Sequence, residues 1–308
     1  MSRYPLVTIG IPTYNRADGF LSECVTSALN QTYSNVEIII SDNCSPDNTA
    51  ELIKSFNETS IKYYRQSVNL GPQRNFNFCV EKASGDYFLL LHDDDLIDDD
   101  FIESCIRAAE FKTDKGIIRT GTRIIDENGN LLNSYFNMAV GLSTEEFFRC
   151  WFDGKTALYL CSTLFNTERL KEIGGFASKH NLFNDVFAEL KLAAKYGRAD
   201  VQDIKASFRK HDEELTFSTK VSAWCEDSLM LIDLMCDLIP EHKSWVRNEA
   251  ARFLSKLNYH IADEVKYPLK RFLAYMIVFK SYNYRYFPPP VNRKLRYLNR
   301  KIKQLLGI

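Results

Sequence analysis

In the first half of the chain, short apolar runs alternate with amphipathic segments, and this alternation limits the possible folds more than any other feature. The apolar runs lie at residues 6–11, 36–41, 60–65 and 86–91. Between them, apolar side chains recur at helical spacing, with helices expected from Asp18 to Asn30, from Asp47 and from residue 97. Strands that alternate with helices form a parallel sheet whose two faces are covered by the helices. The sequence therefore predicts an α/β fold with a mostly parallel sheet.

The second half of the chain departs from this pattern. Residues 126–130 are Asp-Glu-Asn-Gly-Asn, which is typical of a turn between paired strands, so the sheet is expected to become mixed. The further elements that we predict are a helix opened by a capping box at Ser143–Glu146, a strand at 159–165, a helix at 184–196, a strand at 201–209 and nearly continuous helix from residue 221. A length of 308 residues favours about two domains. We place them at residues 1–220 and 221–308.

Three adjacent carboxylates, Asp93, Asp94 and Asp95, follow the last of these apolar runs. Carboxylates crowded on one turn repel one another unless a cation lies between them, and hard oxygen ligands suit Mg²⁺ or Mn²⁺. The alternative is an acidic turn that is merely solvated, with Asp98–Asp100 capping the next helix. The residue types alone leave both interpretations open.

Polar loops follow three of the predicted strands, at residues 12–16, 41–49 and 92–95. Ligands of α/β sheets gather outside the carboxyl ends of the strands, so these loops are expected to meet at one edge. Together they supply carboxylates, amides, hydroxyls and an arginine, which suits a nucleotide. The chain has no glycine-rich phosphate loop, so the charge of a diphosphate would have to be neutralised by a metal.

These motifs occur in the order and spacing of a known family, and over about residues 5–220 the chain resembles a family 2 glycosyltransferase with the GT-A fold. The matching segments are PTYNR at 12–16, SDNCSPDNT at 41–49, NLGPQRN at 69–75, SGDYFLLLHDDD at 84–95, GGF at 174–176, Asn184-Asp185 and Arg209-Lys210-His211. The resemblance implies a Rossmann-like sheet with a C-terminal helical extension. Residues 1–220 would then be the catalytic domain.

The resemblance also implies which side chains bind the nucleotide of a nucleoside-diphosphate sugar. Asp42 would accept a hydrogen bond from the base, Asp93 would contact the ribose, and Arg74 with Asn75 would lie over the base or the diphosphate. The residues assigned to the nucleotide are Pro12, Thr13, Tyr14, Arg16, Asp42, Arg74 and Asp93.

The metal and the catalytic base follow from the same resemblance. Asp94 would bind the cation, Mn²⁺ or Mg²⁺, with Asp95 beside it and His211 closing the site. Asp185 would deprotonate the acceptor hydroxyl, and Glu189 is the alternative base. A single displacement by that hydroxyl would invert the anomeric configuration.

Two positions depart from the family pattern. His92 stands where many relatives have the first Asp of an Asp-x-Asp motif, which would place the metal on Asp94 and His211. Asn184 replaces the Glu that usually precedes the catalytic Asp. That neighbour is expected to be dispensable, because a proton acceptor needs only one carboxylate within reach of the nucleophile.

The resemblance implies a glycosyltransferase of bacterial cell-surface polysaccharide synthesis, such as O-antigen or capsule, acting on a glycan or a lipid-linked glycan. Two other functions remain open. One is an inactive sugar-nucleotide or glycan-binding module. The other is a nucleotidyltransferase, although residues 10–20 lack the glycine-rich basic loop that such enzymes use.

Composition adds expectations about location. Eight scattered cysteines without a C-x-x-C pair indicate neither zinc nor a redox motif and fit a reducing cytoplasm. No signal peptide and no membrane-spanning run of ~20 apolar residues is evident. We expect a cytoplasmic protein.

The end of the chain is basic and aromatic, because residues 266–308 hold eleven Lys or Arg and no Asp or Glu. Aromatic side chains at helical spacing favour packing against the catalytic domain, whereas cationic helices with aromatic belts favour an anionic membrane surface. We expect association with the inner face of the membrane, with packing and a homodimer as alternatives. Nucleic acid is not expected as a partner, because the net charge is −1 and no recognised motif accompanies the basic segment.

Overall fold

The computed structural model describes residues 4–211 and 220–291, which divide into two compact units. Among these residues, the first unit holds 4–177 and 184–211, and the second holds 178–183 and 220–291. The predicted boundary at residue 220 adjoins residues 212–219, which lie outside the described part. The short segment 178–183 was expected in the first domain but belongs to the second unit. That residues 1–220 are a catalytic domain stays a prediction.

The first unit is built on one sheet, to which the described residues contribute nine strands. They are β1 (Val7–Thr13), β2 (Val36–Asp42), β3 (Ile61–Arg65), β4 (Tyr87–Leu90), β5 (Leu96–Ile97), β6 (Ile117–Ile125), β7 (Leu131–Tyr135), β8 (Thr163–Asn166) and β9 (Arg198–Arg209). The strand order is β3-β2-β1-β4-β8-β6-β9-β5, and β7 pairs with β6.

Helices flank the sheet and form most of the second unit. In the first unit they are α1 (Leu21–Leu29), α2 (Thr49–Ser55), α3 (Pro72–Lys82), α4 (Phe101–Ala108), α5 (Thr144–Phe152), α6 (Thr167–Glu172) and α7 (Asn184–Tyr196). The second unit has α8 (Val221–Leu238), α9 (Lys243–Asp263) and α10 (Pro268–Ser281).

The first four strands confirm the predicted parallel sheet. Each of β1–β2, β2–β3 and β1–β4 is a parallel pair. Every residue of β1 and of β4 is buried, because helices cover both faces of the sheet. Thr13 at the end of β1 stands beside Asp42 at the end of β2, so the loops that follow these strands start at the same edge.

Beyond β4 the sheet is mixed, as predicted. Strand β8 runs antiparallel to both β4 and β6, and the turn at residues 126–130 joins β6 to its antiparallel neighbour β7. Strand β9 is parallel to β6 and antiparallel to the short β5. Through β9, the residues around 207–211 come to lie beside the chain that leaves β4.

Some element boundaries differ from the prediction. Helix α1 begins at Leu21 without a side-chain cap, so Asp18 is not its N-cap. Helix α4 begins at Phe101 rather than at residue 97, because Leu96 and Ile97 pair with β9. The predicted strand at 159–165 begins as a 3₁₀ helix at Leu160–Ser162. These differences arise from pairing with distant strands, which local patterns do not encode.

Other local predictions are confirmed. Ser143 accepts a hydrogen bond from the Glu146 amide, and the Glu146 carboxylate accepts one from the Ser143 amide, which completes the capping box. Helix α7 occupies residues 184–196 as predicted.

In the second unit, the buried carboxylate of Asp227 on α8 organises the segment 178–183. It accepts hydrogen bonds from the Ser178 hydroxyl at 2.7 Å and from the backbone amides of His180 at 3.0 Å and Leu182 at 3.2 Å. Three donors satisfy this carboxylate, which would otherwise be costly to bury.

Of the basic C-terminal segment, residues 292–308 lie outside the described part. Within residues 4–211 and 220–291, no helix combines the length and apolar character that crossing a bilayer requires.

Candidate functional site

The acidic turn is held in place by the end of β9. Asp95 is buried, and its carboxylate accepts a hydrogen bond from the Arg209 amide at 2.9 Å. The Arg209 guanidinium donates to the carbonyl of Asp94 at 2.9 Å and to the Glu23 carboxylate at 2.6 Å, and it lies 4.2 Å from the centre of the Phe20 ring. Arg209 therefore holds the acidic turn in place. Its position in the sequence, two residues before His211, did not predict this role.

Three side chains of this turn could bind one cation. His92, Asp94 and Asp95 each offer a ligand atom, and these atoms all lie within 4.8 Å of one another. Nε2 of His92 is buried without a hydrogen-bond partner in the described part of the chain. An imidazole nitrogen with two carboxylate oxygens is a donor set that fits a divalent transition metal. The site thus fits a divalent cation.

The predicted ligand set was Asp94, Asp95 and His211. The structure adds His92, which sequence reasoning treated as a departure from the family pattern. His211 lies beside this cluster, because its Nε2 is 2.9 Å from Oδ2 of Asp94, but it is not one of the three residues whose ligand atoms lie within 4.8 Å of one another. Of the more distant acids, Asp98 pairs with Arg123 at 2.6 Å and Asp100 pairs with Lys205 at 2.6 Å.

Asp93 connects the acidic turn to the loop after β1. The Thr13 hydroxyl, the Tyr14 amide and the Arg16 guanidinium all lower the pKa of its carboxyl group. Burial, with a smaller contribution from the charge of Asp94, outweighs them and raises this pKa to about 6. Three residues predicted to bind the nucleotide, Thr13, Tyr14 and Arg16, thus favour the charged form of the fourth, Asp93.

The loops after β1 and β2 are joined by hydrogen bonds into one rim. The Asn43 amide donates to the Thr13 carbonyl at 2.9 Å, and the Asn15 amide donates to the Ser45 hydroxyl at 2.9 Å. The Asp47 carboxylate accepts from the Ala17 amide at 2.8 Å. Within this rim, Pro12 and Thr13 are buried and Tyr14 is exposed.

Asp42 is fully buried at the end of β2. One carboxylate oxygen accepts from the Ser45 amide at 2.8 Å, and the other accepts from the Tyr63 hydroxyl at 2.5 Å and lies 3.6 Å from Nε of Arg65. In this conformation Asp42 has no exposed surface to offer to a base. The structure gives it a role in shaping the loop, and the predicted contact with a base stays a prediction.

The NLGPQRN motif opens helix α3. Gly71 has a φ of +80°, which favours glycine, and Pro72 occupies the first helical position. Arg74 is exposed and makes no ion pair within the described residues, so it is free to contact an anion. Asn75 is buried instead, where it exchanges hydrogen bonds with Ser41 at 2.6 and 2.9 Å. It therefore joins α3 to β2, and its predicted place over the nucleotide stays a prediction.

The predicted base Asp185 lies in the first turn of α7. Its carboxylate accepts from the Val186 amide at 2.8 Å, and burial raises its pKa to about 6. The neighbouring Asn184 donates to Gln73 on α3, and Gln73 donates to the Phe176 carbonyl. Asn184, predicted to be dispensable, thus ties the start of α7 to the start of α3.

The alternative base Glu189 is ruled out by its surroundings. Its side chain has zero exposure and lies 3.2 Å from Nε of Arg119, whose side chain also has zero exposure. Burial raises the pKa of Glu189, while the Arg119 charge opposes that rise. A carboxylate enclosed in this way cannot reach an acceptor hydroxyl, so the pair is structural.

A cavity of about 690 Å³ lies in the first unit between α1 and the loop that precedes α4. None of its lining residues was predicted to bind the nucleotide or the metal, and its charged pair Asp98–Arg123 is already satisfied. We give it no role in the candidate site.

Comparison with known proteins identifies the family to which the chain belongs. The model for "Glycosyl transferase family 2" matches residues 8–174, which is more than half of the chain. The chain is 33% identical over 144 residues to the chondroitin synthase of Escherichia coli, covering 46% of this chain and 20% of that protein. It is 26% identical over 176 residues to the GalNAc(5)-diNAcBac-PP-undecaprenol beta-1,3-glucosyltransferase of Campylobacter jejuni, covering 54% and 55%. The chain thus spans about a fifth and about half of the lengths of these relatives.

Solved structures agree on the fold. The TarS 1–349 fragment of S. aureus, solved in complex with UDP-GlcNAc, has a TM-score of 0.68 and 16% identity, with 90% of this chain and 81% of that chain covered. The mannosyltransferase PcManGT of Pyrobaculum calidifontis, solved with GDP-Man and Mn²⁺, has a TM-score of 0.54 and 16% identity, with 92% and 87% covered. The predicted GT-A fold with C-terminal helices is confirmed. The protein therefore belongs to glycosyl transferase family 2.

Proposed function

We propose that this protein is a metal-dependent glycosyltransferase that moves a sugar from a nucleoside-diphosphate sugar to an acceptor hydroxyl with inversion. The observation that carries the proposal is the cluster of His92, Asp94 and Asp95 at the end of β4, beside the polar loops that follow β1 and β2. Family membership supports the reaction class.

Different residues of the site would bind the nucleotide and the metal. The rim formed by the loops after β1 and β2 would hold the base and ribose, with Asp93 at the ribose and Arg74 contacting the diphosphate. A cation bound by His92, Asp94, Asp95 and His211 would act as a Lewis acid for the departing diphosphate.

Asp185 would take the proton from the acceptor hydroxyl while that oxygen forms a bond to the anomeric carbon and the bond to the diphosphate breaks. Attack from the face opposite the leaving group inverts the anomeric configuration.

The proposal also covers the identity of the cation, the acceptor and the pathway. Mn²⁺ or Mg²⁺ would be the cation, and the Mn²⁺ in the PcManGT complex supports the former. A glycan or lipid-linked glycan would be the acceptor, as the name of the C. jejuni relative suggests. We place the reaction in bacterial cell-surface polysaccharide synthesis, such as O-antigen or capsule, at the cytoplasmic face of the membrane. A homodimer remains an alternative to membrane association.

A panel of nucleoside diphosphates and nucleotide sugars, each with and without Mn²⁺, tests the donor site by thermal shift. A ligand at a hundred times its Kd stabilises the folded state by ~2.7 kcal/mol, which raises Tm by ~5–10 °C in a domain of this size. We expect such a shift for one nucleotide family, only with metal, and its loss in Asp94→Ala and His92→Ala.

Asp99→Ala, which removes an exposed carboxylate from the loop before α4, is the matched control and should keep the shift. The absence of a shift with every nucleotide would contradict the donor site. A metal-dependent shift without sugar transfer to any acceptor would favour the inactive binding module.

The pKa of Asp185 gives an expected pH dependence. Asp185 works as a base only when ionised, and burial raises its pKa to about 6. We therefore expect kcat to rise with pH through about 6 and to level off above it. Because the pKa of Asp93 is also raised to about 6, nucleotide affinity measured over the same range is the control. A kcat that does not change between pH 5 and 8 would contradict the assignment of Asp185.

A further inference from the structure

An exposed apolar stripe runs along α10 in the second unit. Its members are Leu269, Phe272, Leu273, Met276 and Ile277, with exposed fractions of 73, 58, 54, 37 and 40%. Spacings of three and four residues place them on one face of the helix. Scattered exposed apolar residues are ordinary, but a contiguous stripe of this kind marks an interaction surface.

The opposite face of α10 is buried, and this packing stabilises the position of the helix although the stripe is exposed. Ala274, Tyr275 and Val278 are buried, and α10 packs against α8 and α9. The Tyr275 hydroxyl donates to the Asp263 carboxylate at the end of α9. The apolar stripe is therefore a second face, which stays exposed among the described residues of this unit.

The charged residues of α10 and of the chain that directly adjoins it, residues 266–291, are all positive. Lys266, Lys270, Lys280 and Arg285 are exposed, and none makes an ion pair with a described residue. Residues 266–291 contain no Asp or Glu. A helix with a bulky apolar face and cationic flanks has the composition of a helix that lies in the surface of an anionic bilayer.

We propose that this face of α10 binds the surface of an anionic lipid bilayer, with the apolar stripe among the acyl chains and the four cations at the headgroups. This surface adds a membrane contact to the proposed function. It rests on that function only for the expectation that the acceptor lies at a membrane. A second copy of the chain is a poorer occupant. A symmetric dimer through this stripe would place Lys270 and Lys280 of both copies in one contact, where like charges repel.

Flotation of the full chain with lipid vesicles tests the surface. The vesicles are phosphatidylcholine alone, or equal parts of phosphatidylcholine and phosphatidylglycerol, and contain neither acceptor nor nucleotide. We expect binding to the anionic vesicles, little binding to the neutral ones, and weakening at high salt.

Phe272→Ser with Leu273→Ser should reduce binding at least ~10-fold, because two large apolar groups are lost from the stripe. Lys270→Gln with Lys280→Gln should reduce it on anionic vesicles only. The matched control is Leu131→Ser with Leu132→Ser, which removes two equally exposed apolar side chains from β7 in the first unit and should leave binding unchanged. All three variants change exposed side chains, so their Tm should equal that of the wild type.

Sedimentation velocity tests the alternative occupant of the apolar stripe, a second copy of the chain, because it distinguishes a monomer from a dimer. A monomer that binds anionic vesicles through the stripe supports the proposal. No binding to either vesicle overturns it, as does a dimer that Phe272→Ser with Leu273→Ser dissociates. The nucleotide thermal shift separates the two hypotheses, because vesicle binding without any nucleotide shift would retain this surface and reject the transferase.

Discussion

Asp185→Asn is expected to lower the rate of sugar transfer by ~10²–10⁴-fold, because a positioned general base contributes that much to a rate. The asparagine keeps the shape and the hydrogen-bonding oxygen but cannot accept the proton of the acceptor hydroxyl. Nucleotide affinity should not change, since no nucleotide contact is assigned to Asp185. Burial raises the pKa of this carboxyl, so the charged form is held at a cost in folding free energy. Tm should therefore be unchanged or slightly higher in the variant.

The measurement is single-turnover transfer with saturating donor and acceptor, together with nucleotide affinity from thermal shift. Asp203→Asn, which neutralises an exposed carboxylate on β9, is the matched control and should retain full activity. Turnover of Asp185→Asn equal to that of the wild type would reject Asp185 as the base.

Glu189→Ala is expected to lower the free energy of unfolding by ~3–5 kcal/mol, because it leaves the Arg119 guanidinium buried without its partner. In a domain of this size that loss corresponds to a fall in Tm of ~10 °C. Each folded molecule should still transfer sugar, because Glu189 is too enclosed to be the base. Urea unfolding and activity per folded molecule measure the two effects separately.

Replacing both partners tests whether the loss comes from the unpaired charge. Arg119→Met with Glu189→Leu should recover part of the stability, since apolar groups of similar volume often replace a buried pair without loss. Recovery should be incomplete, because Arg119 also donates to the Thr156 hydroxyl at 3.3 Å and to the Ala157 carbonyl. Arg107→Ala breaks the exposed pair with Glu103 and serves as the surface control, with little expected effect. A smaller loss in Glu189→Ala than in this control would contradict the structural role.

Some features of this protein follow from patterns within a few residues of sequence, whereas others depend on contacts between residues that are far apart in the chain. The parallel strands and the capping box of Ser143 and Glu146 were predictable, because their patterns lie within a few residues of sequence. Asp93 and Asp94 could be selected as candidates from the sequence, because carboxylates at the tip of a buried strand are unusual. The role of Asn75 in joining α3 to β2 was not predicted, because its hydrogen bonds to Ser41 cross 34 residues of chain.

The sequence by itself determined the α/β class, the order of the motifs, the edge of the sheet at which the polar loops meet, and the basic and aromatic character of the C-terminal segment. Only the tertiary structure brought His92 into the ligand cluster, enclosed Glu189 with Arg119, satisfied Asp42 within its own loop, and left one apolar face of α10 exposed. The physical reason is that hydrophobic periodicity and capping act between near neighbours. The burial and pairing of a charged side chain depend instead on groups far along the chain, such as Arg209, 114 residues after Asp95.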